Sequence, residues 1–223
     1  MLGEIHCLLC KGVEIMSYFR DRNRSYLCCS TCGLVFVPPA EYVSRCAEKA
    51  EYELHQNDID DLGYRKFLSR LMATLVERLS PGAHGLDFGC GPGPALAHML
   101  RDIGFEVSLY DSFFVPDEGP LDAEYDFICA TEVVEHLHRP AQELERLWSL
   151  LRPGGWMGVM TKLVLDRTAF ARWHYKNDPT HVCFFSVDTW RWWARNHDAS
   201  LEIIGADAVS YTLPTLLTFA SPH

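Results

Sequence analysis

The chain has no excess of positive charge. Its 20 Lys and Arg face 30 Asp and Glu, for a net charge of −10 and a pI near 5.4. Binding to duplex or long RNA normally needs a basic face, so a nucleic-acid substrate is not expected. Runs of 18 or more apolar residues are missing, which argues against a membrane-spanning helix. The opening stretch, MLGEIHCLLCKG, carries an acid where a secretory leader carries basic charge, and its apolar run is short. A cytoplasmic setting is expected, in which the nine cysteines read as reduced thiols or metal ligands before disulfides. Internal repeats and low-complexity tracts are also missing. What remains is 223 residues, 48% of them hydrophobic, enough for one well-buried domain and a small appendage.

Residues 1–40 hold five of the cysteines and close at Pro38-Pro39. Residues 41–80 read as a linker followed by an amphipathic helix. Tyr64, Phe67, Leu68, Leu71, Met72, Leu75, Val76 and Leu79 recur at helical spacing, and Ser80-Pro81-Gly82 stops them. From 81 to 223, strand and helix patterns alternate. Gly85–Phe88, Glu106–Tyr110, Tyr125–Ala130 and Gly155–Met160 read as strands, and Ala95–Arg101 and Pro140–Leu151 as helices. A Trp-rich helix at Val187–Asn196 and strand-like runs at Leu201–Ile204 and Leu213–Phe219 follow. The alternation predicts an α/β fold with a mostly parallel, doubly wound sheet covered on both faces.

The first of these strands runs into LDFGCGPG, 86–93. A glycine turn after a first strand lets a cofactor approach the backbone closely. A dinucleotide fingerprint would need a glycine at position 94, which is proline. Asp87 is a second objection, since a carboxylate repels a pyrophosphate. It attracts a ligand with a sulfonium and an ammonium, which S-adenosylmethionine has. About twenty residues on, Asp111 ends a strand, where a carboxylate accepts ribose hydroxyls of either ligand type.

With LYDSFF (109–114), FICATEVVEHL (127–137) and LLRPGGWMGVMT (150–161) following in order, the chain resembles the class I S-adenosylmethionine-dependent methyltransferases from about Gly85 to Phe219. The resemblance implies a seven-strand-type, Rossmann-like sheet. It implies that the glycine turn cradles the methionine part of the cofactor, that the acid binds its ribose, and that the third block flanks the reacting methyl. Asp87, Gly89, Gly91, Asp111 and Glu132 are thereby cofactor-site candidates, and Glu135-His136 looks like the family's EH pair. One departure stands out. Fourteen residues separate Asp111 from Asp126, where the family usually has a helix, a strand and a helix, so the third-strand crossover must be shortened. Phe113 or Phe114 is left as an adenine partner or as core.

The pairs Cys7-x2-Cys10 and Cys29-x2-Cys32 lie eighteen residues apart, a spacing that suits a structural Zn2+ held by four thiolates in a zinc ribbon. Cys28 could replace Cys29, but only Cys29 has the two-residue spacing to Cys32. Tyr26, Leu27, Leu34, Val35 and Phe36 would supply short strands around the second hook. A segment of about forty residues buries too little apolar surface to stand without such a staple.

Two further segments face the expected cofactor end. Tyr52, His55 and Asn57 are lid candidates ahead of the long helix. The stretch ARWHYKNDPTHVCFFS (171–186) follows the fifth-strand block, where the family builds its substrate pocket. Its DPTHV element resembles one found in a subgroup of bacterial methyltransferases. Within it His181, near Asp178, is the candidate general base or substrate ligand. The reading is a methyltransferase using S-adenosylmethionine on a small-molecule or protein nucleophile. A cofactor-binding module without turnover, with the ribbon as partner surface, and a nicotinamide oxidoreductase are the alternatives.

Overall fold

The structure is a computed structural model and describes residues 5–54, 58–205 and 207–212. At its N-terminal end β1 (Ile15–Arg20) and β2 (Ser25–Cys29) form an antiparallel hairpin. Asp21 sets its turn by accepting the backbone N–H groups of Asn23 and Arg24, each at 2.8 Å, the local bonding that suits aspartate to turns. β3 (Val35–Phe36) pairs antiparallel with β2. The apolar residues around the second cysteine hook thus form short strands, as their pattern predicts.

α1 (Arg45–Tyr52) is capped by Ser44, whose hydroxyl accepts the Ala47 N–H at 3.3 Å. α2 (Leu62–Val76) is capped the same way by Asp61 and buries Leu68, Leu71 and Leu75. The sequence pattern carries this helix to Leu79. Regular helix stops at Val76 because the N–H groups of Arg78 and Leu79 both turn in to the Leu75 carbonyl, at 3.0 and 2.9 Å, tightening the last turn.

The rest of the chain builds β4 (His84–Phe88), α3 (Ala95–Asp102), β5 (Glu106–Tyr110), β6 (Tyr125–Thr131), α4 (Pro140–Ser149), β7 (Leu151–Met160), α5 (Arg167–Arg172), β8 (Cys183–Phe184), α6 (Val187–Asn196), β9 (Ser200–Ile203) and β10 (Ala208–Thr212). Six strands form one sheet in the order β5-β4-β6-β7-β10-β9. The first four are parallel, and β10 runs antiparallel to both of its neighbours. Alternate residues of β6 serve opposite faces. Phe127 and Cys129 pack with α2 and α3, whereas Ile128 and Ala130 pack with α4 and α6. Both faces are covered, which is the doubly wound arrangement the alternation predicts. Gly158 on β7 admits α2 at close range, since a Cβ there would sit 2.6 Å from Leu71 Cδ1.

The shortened crossover is real. Between β5 and β6 the chain makes an Asp111–Val115 bridge and a single 3-10 turn at Gly119–Asp122. Among the described residues no strand pairs outside β5, so the sheet has six strands where the resemblance implies a seven-strand type. The expected strand at Leu213–Phe219 lies outside the described residues. β10, just before it, occupies the place beside β7.

The ribbon does not stand apart from this body. β3 pairs antiparallel with β8, Val35 opposite Phe184 and Phe36 opposite Cys183, so the small sheet runs β1-β2-β3-β8. Tyr26 packs edge-on against Phe170 at 5.1 Å and Phe184 at 5.8 Å. Leu9, Leu34, Phe36 and Val37 belong to the same buried cluster as Trp190, Trp193 and Tyr211. Each such side chain contributes ~1.5–3 kcal/mol on burial, and here they do so jointly with the large domain. Among the described residues no helix is long and apolar enough to cross a membrane.

Candidate active site

Strand order reverses at β4, which has β5 on one side and β6 on the other. Crevices form at the carboxyl ends of strands at such a point. A cleft of about 510 Å³ opens there, lined by Asp87, Gly89, Gly91, Asp111, Glu132 and His181. Every cofactor-site candidate of the sequence and the candidate base therefore border one cavity, with the size usual for a small-molecule site.

The glycine turn is built by backbone geometry. Gly89 and Gly91 have φ of +71° and +63°, a region that L side chains avoid. The N–H of Gly89 donates to the Tyr110 carbonyl at 2.7 Å, and a Cβ on Gly89 would lie 2.4 Å from Val133 Cγ2. Asp87 sits beneath the turn, 2% exposed. Burial pushes its carboxyl up to about 7; the Ala97 N–H and Arg101 oppose this and Asp111 adds to it.

Asp111 ties the turn to the following loop. Its Oδ2 accepts the Gly91 N–H at 3.0 Å, and its Oδ1 accepts those of Phe113 and Phe114 at 2.8 and 3.0 Å. Phe113 and Phe114 both line the cleft. The Phe113 ring meets Tyr52 of α1 at 5.4 Å and carries the Arg45 guanidinium at 4.4 Å. Of the lid candidates Tyr52 lines the cleft, while His55 and Asn57 lie outside the described residues.

Glu132 follows β6 in a left-handed conformation, φ +57°, with its N–H bonded to the Met160 carbonyl at 2.8 Å. A glutamate held at positive φ stores strain that surrounding structure must impose. Its Oε1 is buried without a hydrogen-bond partner. Burial pushes its carboxyl up to about 7, with Lys162 and Arg70 pulling the other way.

Behind it lies a polar cluster. Glu135 is fully buried and accepts a hydrogen bond from the Tyr175 hydroxyl. His136 Nδ1 lies 3.0 Å from Thr180 Oγ1, which donates to Asp178 Oδ1 at 2.5 Å. His181, 6% exposed, places Nδ1 2.7 Å from the Tyr175 carbonyl and Nε2 3.6 Å from Asp178 Oδ2. Its ring is 4.6 Å from that of His136. Asp178 and His181 do approach each other, but the shorter contact of Asp178 is with Thr180.

Sequence reasoning overlooked the cleft residues Glu48 and Tyr64. Tyr64 counted only as part of the helical stripe, yet its hydroxyl is pushed up to about 12 by burial, with the charges of Asp87 and Glu132 adding. Glu48 accepts from the Tyr52 hydroxyl at 2.8 Å. The i,i+4 spacing of Glu48 and Tyr52 was the available signal.

In the ribbon, Cys7, Cys10, Cys29 and Cys32 converge, their sulfurs all within 4.8 Å. Cys7 and Cys32 sulfurs are 3.5 Å apart and those of Cys10 and Cys29 3.4 Å, far beyond a disulfide bond. Sulfurs around one tetrahedral zinc are separated by roughly 3.8 Å, given Zn–S of ~2.3 Å. The N–H groups of Leu9 and Gly12 point at Cys7 and Cys10 sulfurs, at 3.4 and 3.3 Å, and such donors favour thiolates. The set is compatible with a zinc ribbon. Cys28 Sγ instead faces the Cys29 and Gly33 carbonyls, at 3.8 and 4.0 Å.

Comparison with known proteins agrees with this architecture. No curated protein matches the chain. A chain of the Haloferax volcanii complex of the methyltransferase activator Trm112 is 14% identical with a TM-score of 0.52, over 76% of this chain and 95% of that one. The Burkholderia thailandensis 1,6-didemethyltoxoflavin-N1-methyltransferase, solved with 1,6-didemethyltoxoflavin and S-adenosylhomocysteine, gives 16% and 0.51 over 89% of this chain and 99% of that one. The plantazolicin methyltransferase, solved with a monoazolic desmethylPZN analogue and S-adenosylhomocysteine, gives 13% and 0.50 over 79% of this chain and 91% of that one. The family model described as a methyltransferase domain matches residues 64–202. That match spans more than half of the chain and takes in the glycine turn, Asp111, Glu132 and His181, and the chain belongs to the class I S-adenosylmethionine-dependent methyltransferases.

Proposed function

We propose that this protein transfers a methyl group from S-adenosylmethionine to a small-molecule acceptor. The observation that carries the reading is the concentration of carboxylates Asp87, Asp111 and Glu132 around one cleft at the carboxyl ends of β4, β5 and β6. Such a lining suits a ligand with an ammonium, a sulfonium and ribose hydroxyls, and it disfavours a pyrophosphate. Two similar folds were solved with S-adenosylhomocysteine, one with a small heteroaromatic and one with a plantazolicin analogue, which supports a small acceptor.

In this reading Gly89 and Gly91 let the amino-acid end of the cofactor lie against the turn, and Asp87 supplies charge beneath it. A carboxylate has about four acceptor directions. Asp111 already uses three of them on Gly91, Phe113 and Phe114, so it takes one ribose hydroxyl directly while holding the turn in shape. Glu132 stands nearest the reacting end. When bound, the sulfonium supplies an electrophilic methyl for in-line attack. The chain's part is to position the acceptor and exclude water. His136, His181 and Tyr52 line the same cleft and are assigned to the acceptor, with His181 the group that touches it. The four-cysteine set has no open position, so zinc there is structural.

Calorimetry with S-adenosylhomocysteine and NAD, followed by transfer of labelled methyl into a small-molecule extract, tests the reading. Binding of the former alone, together with a labelled product, is expected. Binding without any product across extracts would leave the partner-binding module, and preference for NAD would overturn the cofactor assignment.

A further inference from the structure

Two carboxylates, Glu132 lining the cleft and Glu135 buried near it, are only half satisfied. Glu135 Oε2 and Glu132 Oε1 are both buried without a hydrogen-bond partner. Glu135 is 0% exposed, and its other oxygen is held by Tyr175. Leaving a buried acceptor unmet is costly, more so when it is charged, and two such acids close together compound the cost.

The neighbouring imidazoles have fixed tautomers. His181 Nδ1 is 2.7 Å from the Tyr175 carbonyl. A carbonyl only accepts, so Nδ1 carries the proton and a neutral ring has its lone pair on Nε2. Thr180 gives its hydroxyl proton to Asp178 at 2.5 Å. Its oxygen therefore accepts from His136 Nδ1 at 3.0 Å, and His136 too has its lone pair on Nε2. One ligand atom from each of Glu135, His136 and His181 lies within 4.8 Å of the others. Glu135 Oε1, His136 Nδ1 and His181 Nδ1 are each held by a named partner: Tyr175 hydroxyl, Thr180 hydroxyl, Tyr175 carbonyl. Metal-binding carboxylates and histidines are oriented in this manner.

We propose that Glu135, His136 and His181 bind a divalent first-row transition metal where the two histidines line the cleft. Glu132, His136 and His181 line the cleft, so an ion held there would be reached from that side through a position the three ligands do not fill. Two imidazoles and a carboxylate suit Mn2+, Fe2+, Co2+ or Zn2+ better than Mg2+ or Ca2+. Ligands about 2.1 Å from one ion lie at most ~4.2 Å apart, so atoms that already lie within 4.8 Å of one another need only a small inward shift to share an ion. The open position takes an oxygen of the methyl acceptor, which narrows the acceptor to molecules with a hydroxyl or carboxylate donor. That last step rests on the methyl-transfer reading, whereas metal binding itself does not. The competing explanation is an ordinary hydrogen-bond network in which a protonated His181 pairs with Asp178.

Mn2+ titration followed by electron paramagnetic resonance decides between them, using protein already loaded with zinc in the ribbon. Mn2+ has little affinity for four thiolates. The expected result is one saturable Mn2+ per chain, with affinity lowered by about tenfold or more in Glu135→Gln and His136→Ala. His136 is only partly buried, so its variant keeps the test alive if Glu135→Gln fails to fold. No saturable Mn2+ binding at millimolar concentration, or equal binding by folded His136→Ala, overturns the proposal. S-adenosylhomocysteine affinity measured without Mn2+ separates the two readings. Intact cofactor binding with no Mn2+ site refutes the metal alone, and the reverse refutes the cofactor assignment alone.

Discussion

Arg24, on the ribbon, donates from its guanidinium to the backbone carbonyl of His181 at 2.9 Å. The same side chain reaches the carbonyls of Pro179 at 3.0 Å, Asp178 at 2.7 Å and Lys176. Tyr26 adds a hydroxyl to the Lys176 carbonyl at 3.1 Å. The loop that carries Thr180 and His181 is therefore held, carbonyl by carbonyl, from a hairpin about 150 residues earlier in sequence. The hairpin thereby braces a loop whose His181 lines the cleft.

Arg24→Lys tests that role. An ammonium cannot reproduce a planar fork aimed at four acceptors. Methyl transfer is expected to fall about tenfold or more, since small misplacements near the chemistry are costly, while S-adenosylhomocysteine affinity stays unchanged. The kcat/KM and calorimetric Kd, compared on the same preparation, check this. Equal losses in both would mean that Arg24 supports the whole domain and not the loop.

Zinc follows from the same connection. About one zinc per chain is expected by elemental analysis. Cys10→Ser and Cys32→Ser should lose it and lose turnover with it, because the hairpin that carries Arg24 hangs on that site. Cys28→Ser should keep both, its sulfur facing backbone carbonyls. Metal loss in Cys28→Ser with retention in Cys29→Ser would reverse the ligand assignment.

Much of this was legible in local sequence. Glu106–Tyr110 and Val187–Asn196 form the strand and helix that their patterns predict, end to end. The fourteen residues between Asp111 and Asp126 were too few for helix, strand and helix, and the sheet ends at β5 accordingly. The two cysteine hooks likewise announced their own convergence. What stayed hidden depends on contacts between distant segments. The pairing of Val35 with Phe184, the Arg24 clamp and the Thr180–His136 bond leave no periodic trace in either partner. β10 was missed for a different reason. Its AVSYT run mixes polar and apolar residues, and Ser210 is as fully buried as Tyr211, so the strand lacks the apolar signature of a buried one.

Asp87 makes cofactor affinity depend on pH. Its carboxyl is pushed up to about 7 by burial, above the ~3.9 of an unfolded chain. The folded state thus holds the extra proton between those values, and Asp87 lowers stability as pH rises from about 4 to 7. An ammonium ligand prefers the ionised form, so S-adenosylhomocysteine binding should tighten as pH rises through about 7. Asp87→Asn should bind more weakly and lose that pH dependence. Calorimetry at pH 6 and pH 8 in buffers of matched ionic strength is the check, and a wild type with flat affinity would mean that Asp87 does not meet the ammonium.

His181 offers the sharpest separation of chemistry from packing. Its ring is buried against Tyr175, centroids 4.1 Å apart, and its Nδ1 proton is committed to the Tyr175 carbonyl. Removing the ring therefore costs contacts whatever else it does, and a lower Tm in His181→Ala is expected under any reading. The discriminating quantity is turnover per folded molecule. A group that meets the acceptor, directly or through a bound cation, should cost ~100-fold or more in methyl transfer when removed and leave S-adenosylhomocysteine affinity intact, because the cofactor candidates Asp87, Gly89, Gly91 and Asp111 sit on β4, β5 and the turns that follow them. A variant that melts early yet turns over normally when folded would eliminate the role. Tyr175→Phe provides the control. It keeps the ring beneath His181 and the carbonyl that fixes Nδ1, and removes only the hydroxyl on Glu135 and Thr161. If His181 acts through its own Nε2, that variant should retain far more activity than His181→Ala; if the two fall together, the buried Glu135–Tyr175 pair and not the imidazole sets the rate.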